Sequence, residues 1–173
     1  SFEFELECDT VIVSAGLRPD VDILEKIGVE TDPATGGPVV NEFYETSVPL
    51  VFTAGNALVV NDLVDYDVEQ GEAAATHASK LLENYVSPRL EWRRVEKGRN
   101  LRLMVPQLVS GSIDVVFYGR VQYPEDNARL IIRETGFEKR FFKVKPAEMI
   151  RIRIPAEELA KSHREKITFE VVR

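Results

Sequence analysis

The stretch ETSVPLVFTAGNA, residues 45–57, runs a short apolar strand into an alanine, a glycine and an amide side chain. Val51 and Phe52 have the character of a buried strand, Ala54 and Gly55 remove bulk where something must approach the backbone, and Asn56 offers an amide just past the strand end. Sheets of the α/β class bind ligands at such carboxyl ends. Taken alone, the run also suits a core strand that ends in a tight turn.

A second run, CDTVIVSAGLRP at residues 8–19, repeats the design, with Val11, Ile12 and Val13 leading into Ser14, Ala15 and Gly16. Together the pair resembles the flavin-domain end of the pyridine nucleotide-disulfide oxidoreductases, the superfamily that holds thioredoxin reductase and the NADH-dependent flavoprotein reductases. In that family, hydrophobic residues followed by ATG-R-P mark a strand and turn re-entering the FAD domain after the inserted NAD(P) domain, and Val11 through Pro19 match. A later motif joins a threonine, an aromatic residue, alanine, glycine and a final aspartate that holds the FAD ribitol. Thr46, Phe52, Ala54 and Gly55 match it, and Asn56 stands where the acid is expected. An amide accepts through one oxygen and also donates, so its bond to a ribitol hydroxyl is weaker than that of a carboxylate. Leu50 is a smaller departure, where glycine often follows the proline.

The resemblance implies a set of cofactor contacts. Ala15 and Gly16 would line the adenosine-to-pyrophosphate side, and Gly55 and Asn56 would sit at the ribitol. The backbone N–H groups of Leu63, Val64 and Asp65 would face the flavin pyrimidine ring from a helix amino terminus, where the helix dipole stabilises negative charge on reduced flavin. Hydride would pass from NAD(P)H to FAD and on to a second acceptor in the intact enzyme, with no catalytic side chain supplied by this chain.

Length and composition bound this expectation. No G-x-G-x-x-G run occurs in the 173 residues, so neither glycine-rich dinucleotide fingerprint is present, and the first residue is Ser1. The expectation is a carboxyl-terminal fragment of a longer flavoprotein, with NAD(P) held by a domain upstream. A net charge of -7 argues against nucleic acid as a partner. The single Cys8 excludes an internal disulfide, a cysteine metal site and a redox pair within the chain, and fits a cytoplasmic setting. His77 and His163 are too far apart in sequence for metal-ligand spacing, and His77 reads as a packed or solvated helix residue. Neither a secretory leader nor a twenty-residue apolar span is visible, so no membrane contact is expected.

Local patterns fill in the elements. Phe2, Phe4 and Leu6 alternate with Glu3, Glu5 and Glu7 as a strand with one wet face. Val21, Leu24 and Ile27 give a short helix over residues 20–27, closed by Gly28. Short strands at residues 29–31 and 39–40 flank a turn cluster of Asp32, Pro33, Thr35, Gly36 and Gly37. Asp62 is expected to cap a long helix over residues 63–85, with Asp65 three residues on. Asp62, Asp65, Asp67, Glu69 and Glu72 also suit a solvated helix face. Gly71, Ala73, Ala74, Ala75 and Ala78 make a small-residue surface for close packing, continued by Leu81, Leu82 and Tyr85.

Composition changes after Ser87 and Pro88, and residues 88–99 read as a solvated linker anchored by Trp92. From residue 100 the period becomes two, in short strands separated by turn clusters. Residues 100–173 are expected to form an all-β antiparallel sandwich of immunoglobulin or fibronectin type III character. Arg151 and Arg153 alternate with isoleucines as on a charge-protected edge strand. Arg120, Arg129, Arg133, Lys139, Arg140, Lys143 and Lys145 read as outward faces, with a docking surface as the alternative.

The whole reads as an α/β FAD-domain remnant, a partial three-layer Rossmann-like unit in residues 1–87, followed by linker and sandwich. The expected partners are a flavin nucleotide and a partner oxidoreductase subunit, with a homodimer formed through an unpaired sheet edge. The alternative function is a non-catalytic interaction module whose sandwich recruits a partner dehydrogenase subunit.

Overall fold

Period-two alternation in the second half of the chain resolves into two sheets. The structure is a computed structural model that describes residues 4–84 and 90–173. Strands β1 (Arg93–Lys97), β2 (Leu101–Val105), β3 (Leu108–Val109), β4 (Val115–Val121), β5 (Glu125–Ile132), β6 (Phe137–Val144), β7 (Ile150–Ile154) and β8 (Lys166–Val172) follow one another, with a one-turn helix at Ala156–Ala160 before β8. One sheet has the order β3-β1-β8-β5-β6 and the other β2-β4-β7. Their facing residues make one apolar core, in which Leu130, Ile132, Ile154, Ile167 and Val171 are fully buried. Phe117 of β4 meets Phe169 of β8 with ring centroids 4.7 Å apart, an aromatic contact that adds to the area it buries.

Two sequence expectations are corrected here. The stretch read as linker contains β1, and β1 pairs in parallel with β8, from Arg94 opposite Lys166 to Lys97 opposite Phe169, so the larger sheet is mixed rather than all antiparallel. The alternation was hidden because one of the two inward positions of β1 is a charged residue. Val95 and Arg93 are both buried, and the Arg93 guanidinium is satisfied by the carbonyl oxygens of Leu159 (2.7 Å), Ser162 (2.6 Å) and Ser110 (2.5 Å). A buried cation is tolerable when its donors are all used.

The smaller sheet is buried on both faces. Along β4, Val115, Phe117 and Val121 point to the larger sheet, while Val116 and Tyr118 point the other way. On that second face, Tyr118, Leu103, Val105 and Met149 pack with Val40, Tyr44, Leu58, Val59 and Ala74. A helix-and-loop layer from the first half of the chain therefore covers the sheet, and the two-sided burial explains the continuous apolar runs of β2 and β4.

That layer contains α1 (Asp22–Lys26), a 3-10 turn at Gly55–Ala57 and α2 (Val64–Asn84). The expected hairpin of residues 29–31 and 39–40 survives only as the isolated bridge of Thr31 with Pro38, and further isolated bridges join Val40 with Thr46 and Glu45 with Phe52. Val51 and Phe52 are half-buried rather than members of a buried strand. Residues 4–20 hold no regular structure, and Val11, Ile12 and Val13 are 75%, 88% and 81% exposed, so the strands expected there are not formed. An apolar run of that length takes its strand geometry from neighbours on both edges, and among the described residues no strand lies beside it. The layer is compatible with part of a Rossmann-like domain, without a parallel sheet among the described residues. Tyr85 and the boundary at Ser87 and Pro88 lie outside the described residues.

Candidate functional site

Gly55 opens the 3-10 turn at φ +66, and a Cβ there would sit 3.2 Å from Asp67 Oδ1. Its left-handed backbone and the close approach of α2 both demand glycine. The Gly55 N–H donates to Gln70 Oε1 at 2.8 Å, and Gln70 is fully buried. Asn56 is exposed, and its Oδ1 accepts the Asn61 N–H at 2.9 Å, closing the loop that leads to α2. Asn61 in turn donates through Nδ2 to Asp67 Oδ1 at 2.7 Å. The 3-10 turn, the loop at Asn61 and the first two turns of α2 are thus tied into one polar network. Its open side is the first turn of the helix, where Leu63, Val64 and Asp65 are exposed.

Asp62 corrects the capping expectation. Its carboxylate is drawn to the smaller sheet, where it accepts from the Arg120 guanidinium and, at 2.5 Å, from the Met149 backbone N–H. A cation and a backbone donor outcompete the local amides that a capping side chain would otherwise bind. Arg120 also donates to the Val60 carbonyl at 3.1 Å. It was read as an outward residue, yet its side chain is only 14% exposed.

Ala15 and Gly16 lie on the exposed irregular run, with Gly16 at φ +97 and nothing within 4 Å of a Cβ placed there. Among the described residues no hydrogen bond ties them to the network of Gly55 and Asn56. Just downstream, residues 17–19 border an open cleft of about 400 Å³ with Pro33, Val60, Arg120 and Pro146 on its walls.

A second polar cluster escaped the sequence reading. Arg151 donates to Glu69 through Nε at 2.7 Å and through Nη2, and the Tyr118 hydroxyl donates to the same carboxylate. The Arg151 hydrogen bond holds the Glu69 carboxyl below its usual range. Burial, and then the bond to Glu69, push the Tyr118 hydroxyl up, and burial does the same to Tyr44 beside it. Strand β7 is an edge of its sheet as expected, but Arg151 engages the helix layer rather than guarding that edge. The available signal was Glu69 itself, an acid in the second turn of the expected helix, with Arg151 on a strand of alternating isoleucines.

Glu42 was also missed. It is 2% exposed and accepts from the Ser110 N–H (2.8 Å), the Gly111 N–H (3.2 Å), the Ser112 hydroxyl (2.8 Å) and the Ser110 hydroxyl. His77 is packed, with its ring edge-on to Phe43 at 4.9 Å and a buried Nδ1 that has no hydrogen-bond partner. Trp92 anchors its segment against Phe43 at 5.8 Å. Several of the remaining basic residues face acids: Arg129 and Arg140 meet Glu138, Arg133 meets Glu170, Lys143 meets Asp126 and Lys145 meets Glu148. Such pairing removes most of the field a docking face would need. Among the described residues no group of histidine, cysteine, aspartate and glutamate is arranged for a metal ion, and no helix is long and apolar enough to cross a membrane.

The positions left open are the first turn of α2, exposed Asn56, whose Nδ2 donors lie outside the loop bond, and the uncrowded backbone at Gly16. Residues 3–80 match the family described as pyridine nucleotide-disulphide oxidoreductase. The chain is 41% identical to bacilliredoxin reductase Bdr of Bacillus subtilis (strain 168) over 70 residues, 40% of this chain and 22% of that protein. It is 35% identical to dihydrolipoyl dehydrogenase of the same organism over 79 residues, covering 44% and 17% of the two chains. To the assimilatory nitrate reductase electron transfer subunit of that organism it is 30% identical over 76 residues, covering 42% and 10%. The chain spans only a minor part of these relatives. No solved structure matches it significantly.

Proposed function

Because residues 3–80 belong to the pyridine nucleotide-disulphide oxidoreductase family, we propose that this chain supplies part of the FAD site of a flavin-dependent NAD(P) oxidoreductase. FAD, when bound, accepts hydride from NAD(P)H and passes electrons to a second acceptor. Within this chain, Leu63, Val64 and Asp65 offer backbone donors at the flavin ring, Gly55 and Asn56 meet the ribitol, and Ala15 and Gly16 lie along the pyrophosphate side. The glycine-rich fingerprints that grip the two dinucleotides are contributed from outside these 173 residues, and the two-sheet unit is an appended sandwich.

One observation carries this reading: the turn at Gly55 and Asn56 is bonded to α2 through Gln70 and to the loop before it through Asn61, while the first turn of that helix stays open. Open amide groups at a helix start suit a developing negative charge. The test is a titration of the flavin-bearing gene product with FAD. Asn56→Ala is expected to weaken FAD about tenfold, the value of roughly one good hydrogen bond at about 1.4 kcal/mol. An unchanged affinity would refute the placement of Asn56.

A second reading keeps the flavin segment as scaffold and gives the two-sheet unit a partner subunit. It draws support from the relative described as an electron transfer subunit. Retention of a specific oxidoreductase subunit by the intact chain, lost on altering β6, would favour it.

A further inference from the structure

We propose that Arg120 and Arg151, both on the smaller sheet, are positioning residues that set the start of α2 against the flavin. The inference rests on the flavin reading above and assigns the appended sheets a role in that site. Helix α2 buries only one narrow side, with Gln70 and Ala74 buried while Val64, Val68 and Leu82 are 71%, 54% and 71% exposed. Apolar packing alone therefore fixes its axial position weakly. Two ion pairs do so instead, one on the loop that enters the helix and one on its second turn.

The geometry is specific. Asp62 lies in the loop just before α2 and Glu69 in the second turn of the helix, so the two carboxylates anchor its entry and its body. Their partners come from paired strands, since Tyr118 of β4 lies opposite Arg151 of β7 and Gly119 opposite Ile150. Glu69 takes the fork of Arg151 and the Tyr118 hydroxyl, and Asp62 takes Arg120 and the Met149 N–H. Arg120 holds the loop as well, through the Val60 carbonyl. A forked guanidinium fixes both distance and direction, which a lysine does not.

Arg120 has a second, electrostatic consequence. Asp62, Asp65 and Asp67 would place three carboxylates beside the helix start, opposing any anion that approaches it. Arg120 pairs with the first of them, and Asn61 donates to the third. Removing the Arg120 charge restores repulsion where reduced flavin carries its negative charge.

The experiment combines hydrogen exchange with flavin potentiometry on the gene product that carries this chain, wild type against Arg120→Met, Arg120→Lys and Arg151→Met. Both methionine variants should speed exchange of the hydrogen-bonded α2 amides of residues 68–72 at least tenfold, while amides of Phe117 and Phe169 stay protected. Arg120→Met should also destabilise reduced relative to oxidised flavin about tenfold, a fall of about 30 mV for a two-electron couple. Arg120→Lys should restore the potential but not the full exchange protection. Unchanged exchange at residues 68–72, or a flavin potential that Arg120→Met leaves at the wild-type value, overturns the proposal while leaving the flavin reading intact. A wild-type protein that takes up no FAD sinks the flavin reading itself, whatever the exchange result.

Discussion

Glu42 shows how much of this molecule depends on single buried charges. Its carboxylate gathers two backbone N–H groups and two hydroxyls from residues 110–112, and its charge favours the cation of buried Arg93. Replacing it with alanine leaves these donors unpaired and Arg93 without its counter-charge. Glu42→Ala should destabilise the chain by about 3 kcal/mol, read as a lower urea midpoint with an unchanged slope. His77 adds a pH dependence. Burial lowers its pKa from 6.5, reinforced by Lys80 and opposed by Glu42 and a hydrogen bond with the Phe43 backbone. As pH falls below 6.5, the unfolded chain takes up this proton before the folded one does, so stability declines toward the lower folded value. Urea unfolding from pH 7 downward should show that loss, and His77→Phe should lessen it. At this scale the sequence was only partly legible. The glycine and amide of the 45–57 run were readable from their types, but Glu42 and Arg93 look like ordinary surface charges until the fold closes over them.

At the level of elements, close approaches decide which segments can move. Gly37 sits so near the turn after Gly55 that a Cβ would lie 1.9 Å from the Leu58 carbonyl oxygen. Gly37→Ala must displace backbone, and a loss on the order of 3 kcal/mol or more is expected. Gly136→Ala is the control, since its φ of +74 is strained but nothing lies within 4 Å of the added Cβ, so about 1–2 kcal/mol is expected. Equal thermal shifts for the two would contradict the packing described around Leu58. Helix α2 was foreseen within one residue at its start, because its small-residue and acidic periodicity is local information. Strand β1 was not, because its inward Arg93 breaks the apolar alternation that reveals strands. The run at residues 11–13 failed in the opposite way: its apolar pattern is strand-like, but a pattern forms a strand only where a sheet edge receives it.

For the whole molecule, three layers share the smaller sheet, and the site belongs to the outermost. The helix layer docks through Val40, Tyr44, Leu58 and Val59 onto Leu103, Val105, Tyr118 and Met149, while Arg151 of the sheet grips α2 and Arg120 the loop before it. The sequence reading separated a flavin-like part from a β-rich part. It did not reveal that the helix layer packs on the smaller sheet, because Leu103, Val105 and Tyr118 read as the core of a self-contained sandwich and the ion pairs of Arg120 and Arg151 read as solvated charges. The central claim is that this body is part of an FAD site served by a pyridine nucleotide. Its most direct test is the visible absorbance of the purified gene product that carries this chain, followed anaerobically as NADH and then NADPH are added. The account predicts oxidised-flavin bands that bleach with one of the two nucleotides. A colourless protein that cannot be reconstituted with FAD, or a bound flavin that neither nucleotide reduces, would contradict it.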